Sequence, residues 1–245
     1  MKNLCLTILL STMCCVTDIT NWTYYQLQPV VESSHFESEF SSSKVLLSKN
    51  NKFNVITIKK GSMDFGVSLE RPKNCDFYMN SNFFSEEPIG LVVINGKRHS
   101  SRVKGGGYFY VKNGKPYVRS RECPSYTTFA SQTILWGINN KKVNYSLIGK
   151  SHAKKKTYRT IMGQNKEGDI VIVASKTLGI TTIEEIINVG LEYGMIDGIL
   201  FDGGTSVEYT LKDGKHLTSF KALSDVSKVV VGIDRPMTYI YGNFK

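Results

Sequence analysis

Short apolar or alternating segments recur along most of this chain, and they predict a protein built mainly of β-strands. Each is rich in valine, isoleucine, tyrosine or phenylalanine, and glycine, asparagine or proline lies between many of them, which is typical of strands and their turns. The segments lie at residues 53–58, 65–69, 77–79, 89–94, 108–111, 116–118, 131–137, 143–148, 158–163, 169–174, 229–231 and 237–241. Asn95-Gly96 accepts the positive φ angles of a type I′ hairpin, so neighbouring strands are expected to pair antiparallel.

One segment has the periodicity of a helix. Between residues 181 and 194, two overlapping capping boxes in TTIEE precede apolar residues at helical spacing. Gly194 is expected to end this helix in a left-handed conformation. An apolar run, 196–201, then leads directly into the sequence DGGTS at 202–206. A helix, a buried strand and a glycine-rich turn therefore follow one another here.

These elements predict an α+β domain with a mixed or antiparallel sheet of many short strands and one long helix, at about 181–194, packed on it. The domain is expected to span residues 51–245. The serine-rich residues 18–50 are only weakly periodic, and we expect them to form an arm over the domain surface. The triple glycine at 105–107 precedes a strand rather than a helix, so it predicts a backbone bend and not a phosphate loop.

The first 17 residues have the features of a signal peptide: a basic start, a short apolar core and a polar end. The apolar core is too short to span a bilayer, so a secreted or periplasmic protein without stable membrane insertion is expected. A buried N-terminal strand and a lipid anchor on Cys14 or Cys15 are the alternatives. Beyond the leader only Cys75 and Cys123 remain, as one disulfide or as two buried thiols.

The charge of the 245-residue chain points to an acidic partner, since lysine and arginine exceed the acidic residues by ten. Nucleic acid is disfavoured because the sequence has no zinc-finger spacing, helix-turn-helix pattern or aromatic RNP motif. The four histidines stand apart from one another and from the cysteines, so neither a metal site nor a cofactor is predicted.

Three places carry candidate chemistry. Asp202 sits in the turn at 202–206, where an ordinary tight turn is an equally good interpretation. Arg159 opens a strand beside apolar residues, so it needs an anionic partner, either a protein carboxylate or a ligand phosphate. Asn80 and Asn82 end another strand, where they either form a turn, the favoured alternative, or bind a polar ligand.

Taken in order, four motifs of this chain resemble those of the phosphodiester glycosidase family over about residues 50–243. They are NSNFF at 80–84, RTIMG at 159–163, DGGTS at 202–206 and RP at 235–236, and the family motifs they resemble are NGGFF, RTAIG, DGGGS and RPV. The sequence departs from glycine at three positions. These are Ser81, Asn82 and Thr205, and they leave the shape of the pocket and the preferred sugar open.

The resemblance implies a hydrolase that cleaves a sugar-1-phosphodiester in an anionic glycan. Asp202 is then the carboxylate facing the anomeric carbon, and Arg159 stabilises the phosphate charge, with Arg235 as the second choice. The remaining implied substrate-binding residues are Asn80, Asn82, Gly203, Gly204 and Ser206. A second carboxylate, if one is needed, is Glu86, Glu87 or Glu208, which the sequence does not rank.

The main alternative is a non-catalytic protein that binds phosphosugar or polysaccharide on the same scaffold, with activity lost through the departures from glycine. A basic nucleic-acid-binding protein is a third class, and it predicts affinity that falls steeply with salt.

Overall fold

The computed structural model describes residues 36–122, 125–222 and 237–245. These residues belong to one compact unit with three β-sheets, in which every strand pair is antiparallel. The predicted signal peptide, Cys123, Arg235 and the predicted strand at 229–231 lie outside the described residues. The prediction of an α+β fold dominated by antiparallel sheet is confirmed.

The largest sheet has eight strands. In spatial order they are β1 (Glu37–Ser41), β2 (Val45–Lys49), β3 (Phe53–Ile58), β14 (Ile170–Ser175), β13 (Thr160–Gln164), β15 (Asp197–Leu200), β11 (Leu135–Asn139) and β12 (Lys142–Val143). Its middle strands bring together segments from distant parts of the chain, since β15 lies between β13 and β11.

Two five-stranded sheets complete the fold. The first has the order β7 (Lys97–Ser100), β6 (Val92–Ile94), β10 (Phe129–Thr133), β8 (Gly107–Lys112) and β9 (Lys115–Ser120). The second has the order β17 (His216–Lys221), β16 (Glu208–Asp213), β5 (Phe77–Asn80), β18 (Tyr239–Phe244) and β4 (Met63–Ser68).

The central strands of the large sheet are buried on both faces. Along β14, Ile170 and Ile172 belong to one hydrophobic core, whereas Val171 and Val173 belong to another. The first core also contains residues of both five-stranded sheets, such as Phe77 and Phe109. A strand buried on both faces is apolar at every position, which explains the continuous apolar runs in the sequence.

The second core is covered by the predicted helix, here α3 (Ile183–Glu192). Thr182 and Glu185 form a capping box, and Gly194 takes a φ of +80° just after the helix, as predicted. Two single-turn helices follow β12, α1 (Tyr145–Ile148) and α2 (Ser151–Lys154), and α1 occupies residues expected to form a strand. Asn144 caps α1 by accepting a hydrogen bond from the Leu147 N–H, which favours a helical turn over a strand.

The structure differs from the sequence expectation at the edge of the large sheet. Part of the predicted surface arm forms β1 and β2, because Val45 and Leu47 alternate into the core despite the serines around them. The hairpin of β16 and β17 was not predicted either, since polar and charged residues dominate β17. The turns Asn95-Gly96 and Asn113-Gly114 both have positive φ at each residue, and this confirms the type I′ prediction for Asn95-Gly96.

No helix in the described ranges is long and apolar enough to cross a membrane.

Cys75 is a free, half-buried thiol, and burial raises its pKa above the ordinary value.

Candidate active site

The turn after β15 is held by hydrogen bonds from two other parts of the chain. On one side, the Asp202 N–H donates to the Ser81 carbonyl at 3.1 Å, and the Asn80 side-chain amide donates to the Asp202 carbonyl at 2.9 Å. On the other side, the Gly204 N–H donates to the Tyr158 carbonyl at 2.8 Å. The three segments therefore meet although residues 80 and 202 are 122 positions apart.

The close approach to Tyr158 explains the two glycines of the turn. A Cβ on residue 203 would lie 2.8 Å from the Tyr158 carbonyl oxygen, which is too close for a side chain. Gly204 has a φ of +63°, a conformation that favours glycine. The turn continues as one 3-10 turn, Gly204–Ser206, in which the buried Ser206 donates its N–H to the Gly203 carbonyl. The sequence DGG thus brings the backbone against Tyr158, two residues before β13, and fixes the position of Asp202.

Arg159 lies beside this turn. The Cδ atom of Arg159 is 3.7 Å from the position of a Cβ on Gly203, and the Phe201 N–H donates to the carbonyl of Thr160, the next residue. The strands β13 and β15 are paired antiparallel, with Ile161 opposite Leu200. Continuing that register by two residues places Arg159 opposite Asp202, at the end of the strand pair.

The guanidinium of Arg159 is held by backbone carbonyls. Its Nη2 donates to the carbonyls of His152 and Lys155 at 2.8 and 3.0 Å, so α2 and the residue after it orient the group. Burial lowers the pKa of this half-buried guanidinium, and no carboxylate in the described part of the chain forms an ion pair with it. The buried Nε has no hydrogen-bond partner either. The site thus contains a positive charge that the described residues leave uncompensated.

Comparisons with known proteins identify the family of this chain. The phosphodiester glycosidase family model matches residues 73–233, which is more than half of the chain. The chain belongs to the phosphodiester glycosidase family. The predicted resemblance is therefore confirmed. No match was found among curated proteins.

Solved structures share the fold at low sequence identity. The catalytic domain of zebrafish N-acetylglucosamine-1-phosphodiester alpha-N-acetylglucosaminidase, auto-inhibited by its pro-peptide, is 12% identical, with a TM-score of 0.60 over 86% of this chain and 82% of that one. A hypothetical protein from Synechocystis is 12% identical, with a TM-score of 0.57 over 86% and 62%. A protein from Burkholderia pseudomallei is 9% identical, with a TM-score of 0.51 over 81% and 74%.

Two of the departures from the phosphodiester glycosidase motifs form a buried polar network. The Asn82 amide donates to the Gln132 carbonyl at 2.6 Å, and its oxygen accepts hydrogen bonds from Ser131 and Thr238. Ser81 shares a hydrogen bond of 2.8 Å with the Thr238 hydroxyl. Both side chains therefore join β5 to β10 and to the segment before β18. Thr205, the third departure, is exposed on the turn.

The amides of both predicted asparagines are engaged within the protein. Asn80 is 1% exposed, and its oxygen accepts the Glu208 N–H at 3.0 Å while its nitrogen donates to Asp202. Asn82 is 2% exposed and is held as described above. Asn80 thus connects the Asp202 carbonyl to the Glu208 N–H, and both residues are candidate carboxylates.

Glu208 is the predicted second carboxylate that lies nearest to the turn along the chain, and it is buried. Arg71 binds it with two nitrogens, at 2.7 Å to Oε1 and 2.8 Å to Oε2, and the Tyr78 hydroxyl donates to Oε1 at 3.0 Å. Burial, followed by the negative charge of Glu208, raises the pKa of Tyr239 to about 12. In contrast, Glu86 and Glu87 are exposed on a loop.

The structure thus places most of the predicted residues at one end of β13 and β15. Asp202, Gly203, Gly204 and Ser206 form the turn, and Arg159 and Asn80 flank it. Arg235 lies outside the described residues, so its place stays a prediction. The pairing of Arg71 with Glu208 was missed because 137 residues separate them and neither stands in a recognisable pattern. No cluster of metal-ligating side chains occurs among the described residues.

Proposed function

We propose that this chain is a hydrolase that cleaves a sugar-1-phosphodiester in an anionic glycan. The observation that supports this most strongly is the position of Asp202 beside Arg159, in a turn held by Asn80, Ser81 and Tyr158. Family membership supports the same reaction class. The name of the zebrafish protein gives the substrate class by analogy, as an N-acetylglucosamine-1-phosphodiester.

In the proposed reaction, the bond between the anomeric carbon and the phosphate oxygen breaks. The phosphate leaves with the electron pair, water supplies the oxygen that bonds to the carbon, and a proton is released to solvent. Positive charge develops on the sugar ring, and the carboxylate of Asp202 stabilises it or attacks the carbon directly. A phosphate monoester is a good leaving group, so the site needs charge stabilisation more than a general acid.

Arg159 is proposed to provide that stabilisation. Its Nη2 donates to the carbonyls of His152 and Lys155, which orients the guanidinium and leaves the Nη1 N–H groups to donate charge-assisted hydrogen bonds to the phosphate. Both carboxylate oxygens of Glu208 already accept hydrogen bonds, so we assign it no proton transfer. Arg235 is retained as a second candidate for contact with the phosphate.

The other residues of the turn are proposed to shape the site. Gly203 and Gly204 let the backbone approach the substrate closely, and Ser206 adds polar groups beside them. For Asn80 we propose a positioning role, because its amide fixes the backbone of Asp202 and Glu208. Asn82 is proposed to hold the end of β5 in place rather than to bind sugar, since its amide groups already bond to Gln132 and Thr238.

Export is part of the proposal, because a phosphate-containing glycan outside the cytoplasm needs an enzyme that reaches it. The sequence of residues 1–17 supports this. Mass spectrometry of the protein released from its native host would test it. Loss of the first 17 residues or so is expected, and a mature chain that begins at Met1 would contradict it.

The competing function is a non-catalytic binder of phosphosugar, which the departures at Ser81, Asn82 and Thr205 favour. To separate the two, the protein is incubated with a sugar-1-phosphodiester while free reducing sugar is measured, and calorimetry records binding of the same compound. We expect release of sugar with turnover. Binding without release over a long incubation would favour the binder instead.

A further inference from the structure

A cleft lies at the other end of the same strands. A cleft of about 740 Å³ is lined by five basic residues, and we refer to it as the basic cleft. These residues are Lys60, Lys115, Arg119, Lys166 and Lys245. Gln164 and Asp197, the last residue of β13 and the first residue of β15, also line it. With about 3.4 Å per residue, the five steps from Asp197 to Asp202 separate the two sites by roughly 17 Å along the strand.

The basic cleft has an excess of positive charge. Asp197 is its only acidic lining residue among those described, against the five basic ones. Lys166 and Lys245 have acidic neighbours in Glu167 and Asp64. Lys60 and Lys115 are exposed, and neither forms an ion pair with a carboxylate in the described ranges. Two lysines of the cleft lining therefore remain available to an anionic ligand, one after β3 and one in β9.

The side chain of Arg119 is held in one orientation in the basic cleft. Its guanidinium lies over the Tyr117 ring, 5.5 Å from the centroid, and its Nη1 donates to Gln164 Oε1 and to the Val118 carbonyl, both at 2.8 Å. Asp197 and Glu122 each lie 3.9 Å from a guanidinium nitrogen, which is too far for a tight ion pair. The guanidinium is thus held in one orientation, and neither carboxylate lies within hydrogen-bond distance of it, so it can still donate to an anionic ligand.

The aromatic residues of the cleft argue against nucleic acid as the ligand. Tyr117 stacks on Tyr110 with the ring centroids 5.1 Å apart, and Arg119 lies over the Tyr117 ring. Proteins that bind single-stranded nucleic acid offer aromatic faces on which the bases stack. Because Tyr110 and Arg119 already pack on the Tyr117 ring, that ring is not available for a base to stack on. The basic cleft therefore offers positive charge but no aromatic face for a base.

We propose that the basic cleft is a second binding site, which holds a phosphate-bearing glycan away from the Asp202 turn. Lys60 and Lys115 contact phosphates of the polymer, and Arg119 contacts a third group in the cleft. The anionic character of the ligand follows from the cleft alone, whereas the choice of a glycan rests on the proposed function. Such a site retains the polymer between cleavage events and raises the local concentration of bonds to be cleaved.

The test measures binding of a poly(glycerol phosphate) chain to the full-length protein carrying Asp202→Asn, by calorimetry at low salt. The variant Lys60→Glu/Lys115→Glu is compared with Lys97→Glu/Lys215→Glu, which makes the same charge change at exposed lysines in β7 and in the turn between β16 and β17. We expect the cleft variant to weaken binding about tenfold or more, and the control variant to change it less than about twofold. Thermal unfolding checks that both variants fold.

Equal weakening by both variants would overturn the proposal, since it would indicate attraction to net charge alone. Unchanged binding in the cleft variant would overturn it as well. A single-stranded DNA oligomer that competes as strongly as the polymer at equal salt would contradict the assigned ligand class. Uncharged dextran is expected not to bind.

The two proposals fail separately. If the wild-type protein releases no sugar but the cleft variant loses polymer binding, the proposed function is wrong and the basic cleft stands. If sugar is released from a small sugar-1-phosphodiester but the cleft variant binds the polymer as before, the proposed function stands and the second binding site is wrong.

Discussion

The two ends of the strand pair β13 and β15 differ in how their charged groups are held. At one end, Asp202 and Arg159 are only partly exposed, and backbone hydrogen bonds fix the turn and the guanidinium. At the other end, Lys60 follows β3 and Lys115 begins β9, and both are exposed residues of the basic cleft, whereas hydrogen bonds orient Arg119. The same two strands thus support a rigid arrangement and an adaptable one.

This difference matches what each end is proposed to do. Stabilising a transition state requires groups held in place before the reaction, because reorganisation during the reaction raises the barrier. Retaining a flexible polyanion requires charge rather than one fixed geometry. Substitutions at the first end should therefore change the rate of cleavage, and those at the second end should change affinity for the polymer.

The substitution Asp202→Asn is expected to have the largest effect on cleavage. It removes the charge that stabilises the sugar cation but keeps the size of the side chain, so kcat should fall by on the order of 10³-fold or more. The measurement is release of reducing sugar from a small sugar-1-phosphodiester. Polymer binding in the basic cleft should not change. Undiminished turnover would remove Asp202 from the mechanism.

Arg159→Lys is expected to lower kcat/KM by on the order of 10²-fold, although the charge is kept. Lysine has a single nitrogen, so it cannot donate to the carbonyls of His152 and Lys155 with one nitrogen and to the phosphate with another, as arginine can. Steady-state kinetics on the same substrate measures the loss. A neutral result would reassign the phosphate contact to Arg235.

Gly203→Ala should destabilise the protein by about 1–3 kcal/mol, because the added Cβ meets the Tyr158 carbonyl at 2.8 Å. Gly149→Ala is the matched control, since a Cβ there comes no closer than 3.4 Å to another atom and its φ of −67° suits alanine. Chemical denaturation of both variants measures the free energy of unfolding. Equal stabilities would mean that the backbone approach at Gly203 is looser than described.

The smallest expected effect is a pH-dependent change in the free energy of unfolding, and it concerns Asp169, near the basic cleft. Burial alone would raise the pKa of Asp169, but hydrogen bonds from the Lys60 N–H, the Lys59 ammonium and Asn165 outweigh it and lower the pKa. A lowered pKa in the folded state contributes stability above the unfolded value of about 3.9, and this contribution disappears as pH falls through the folded pKa.

Asp169→Asn should therefore reduce the free energy of unfolding at neutral pH, and the difference from wild type should shrink as the pH falls below about 4. Denaturation curves at several pH values measure this. A difference that stays constant with pH would show that the loss is steric rather than electrostatic.

Much of the fold follows from local patterns in the sequence. The capping box at Thr182, the left-handed Gly194 and the Asn95-Gly96 turn each depend on residues a few positions apart. The continuous apolar run of β14 likewise predicts a strand that is buried on both faces. The edge strands β1 and β17 carry too few apolar residues to be distinguished from loops, and they form because neighbouring strands offer hydrogen-bonding partners.

The sequence allowed us to name residues of the candidate site but not the contacts between them. Asp202 and its glycines stand out in the sequence, as does the desolvated Arg159. The roles of Asn80 and Asn82 depend on Glu208, Gln132 and Thr238, which are 50 to 156 residues away. The basic cleft could not be predicted for the same reason, since its lysines, at 60, 115, 166 and 245, come from four separate parts of the chain and form no local cluster.

The most direct test of the central claim is a crystal structure of the Asp202→Asn variant with a sugar-1-phosphodiester bound. The phosphate is expected to contact the Arg159 guanidinium, with the anomeric carbon facing residue 202 beside Gly203 and Gly204. A ligand bound only in the basic cleft, or a phosphate that makes no contact with Arg159, would contradict the account.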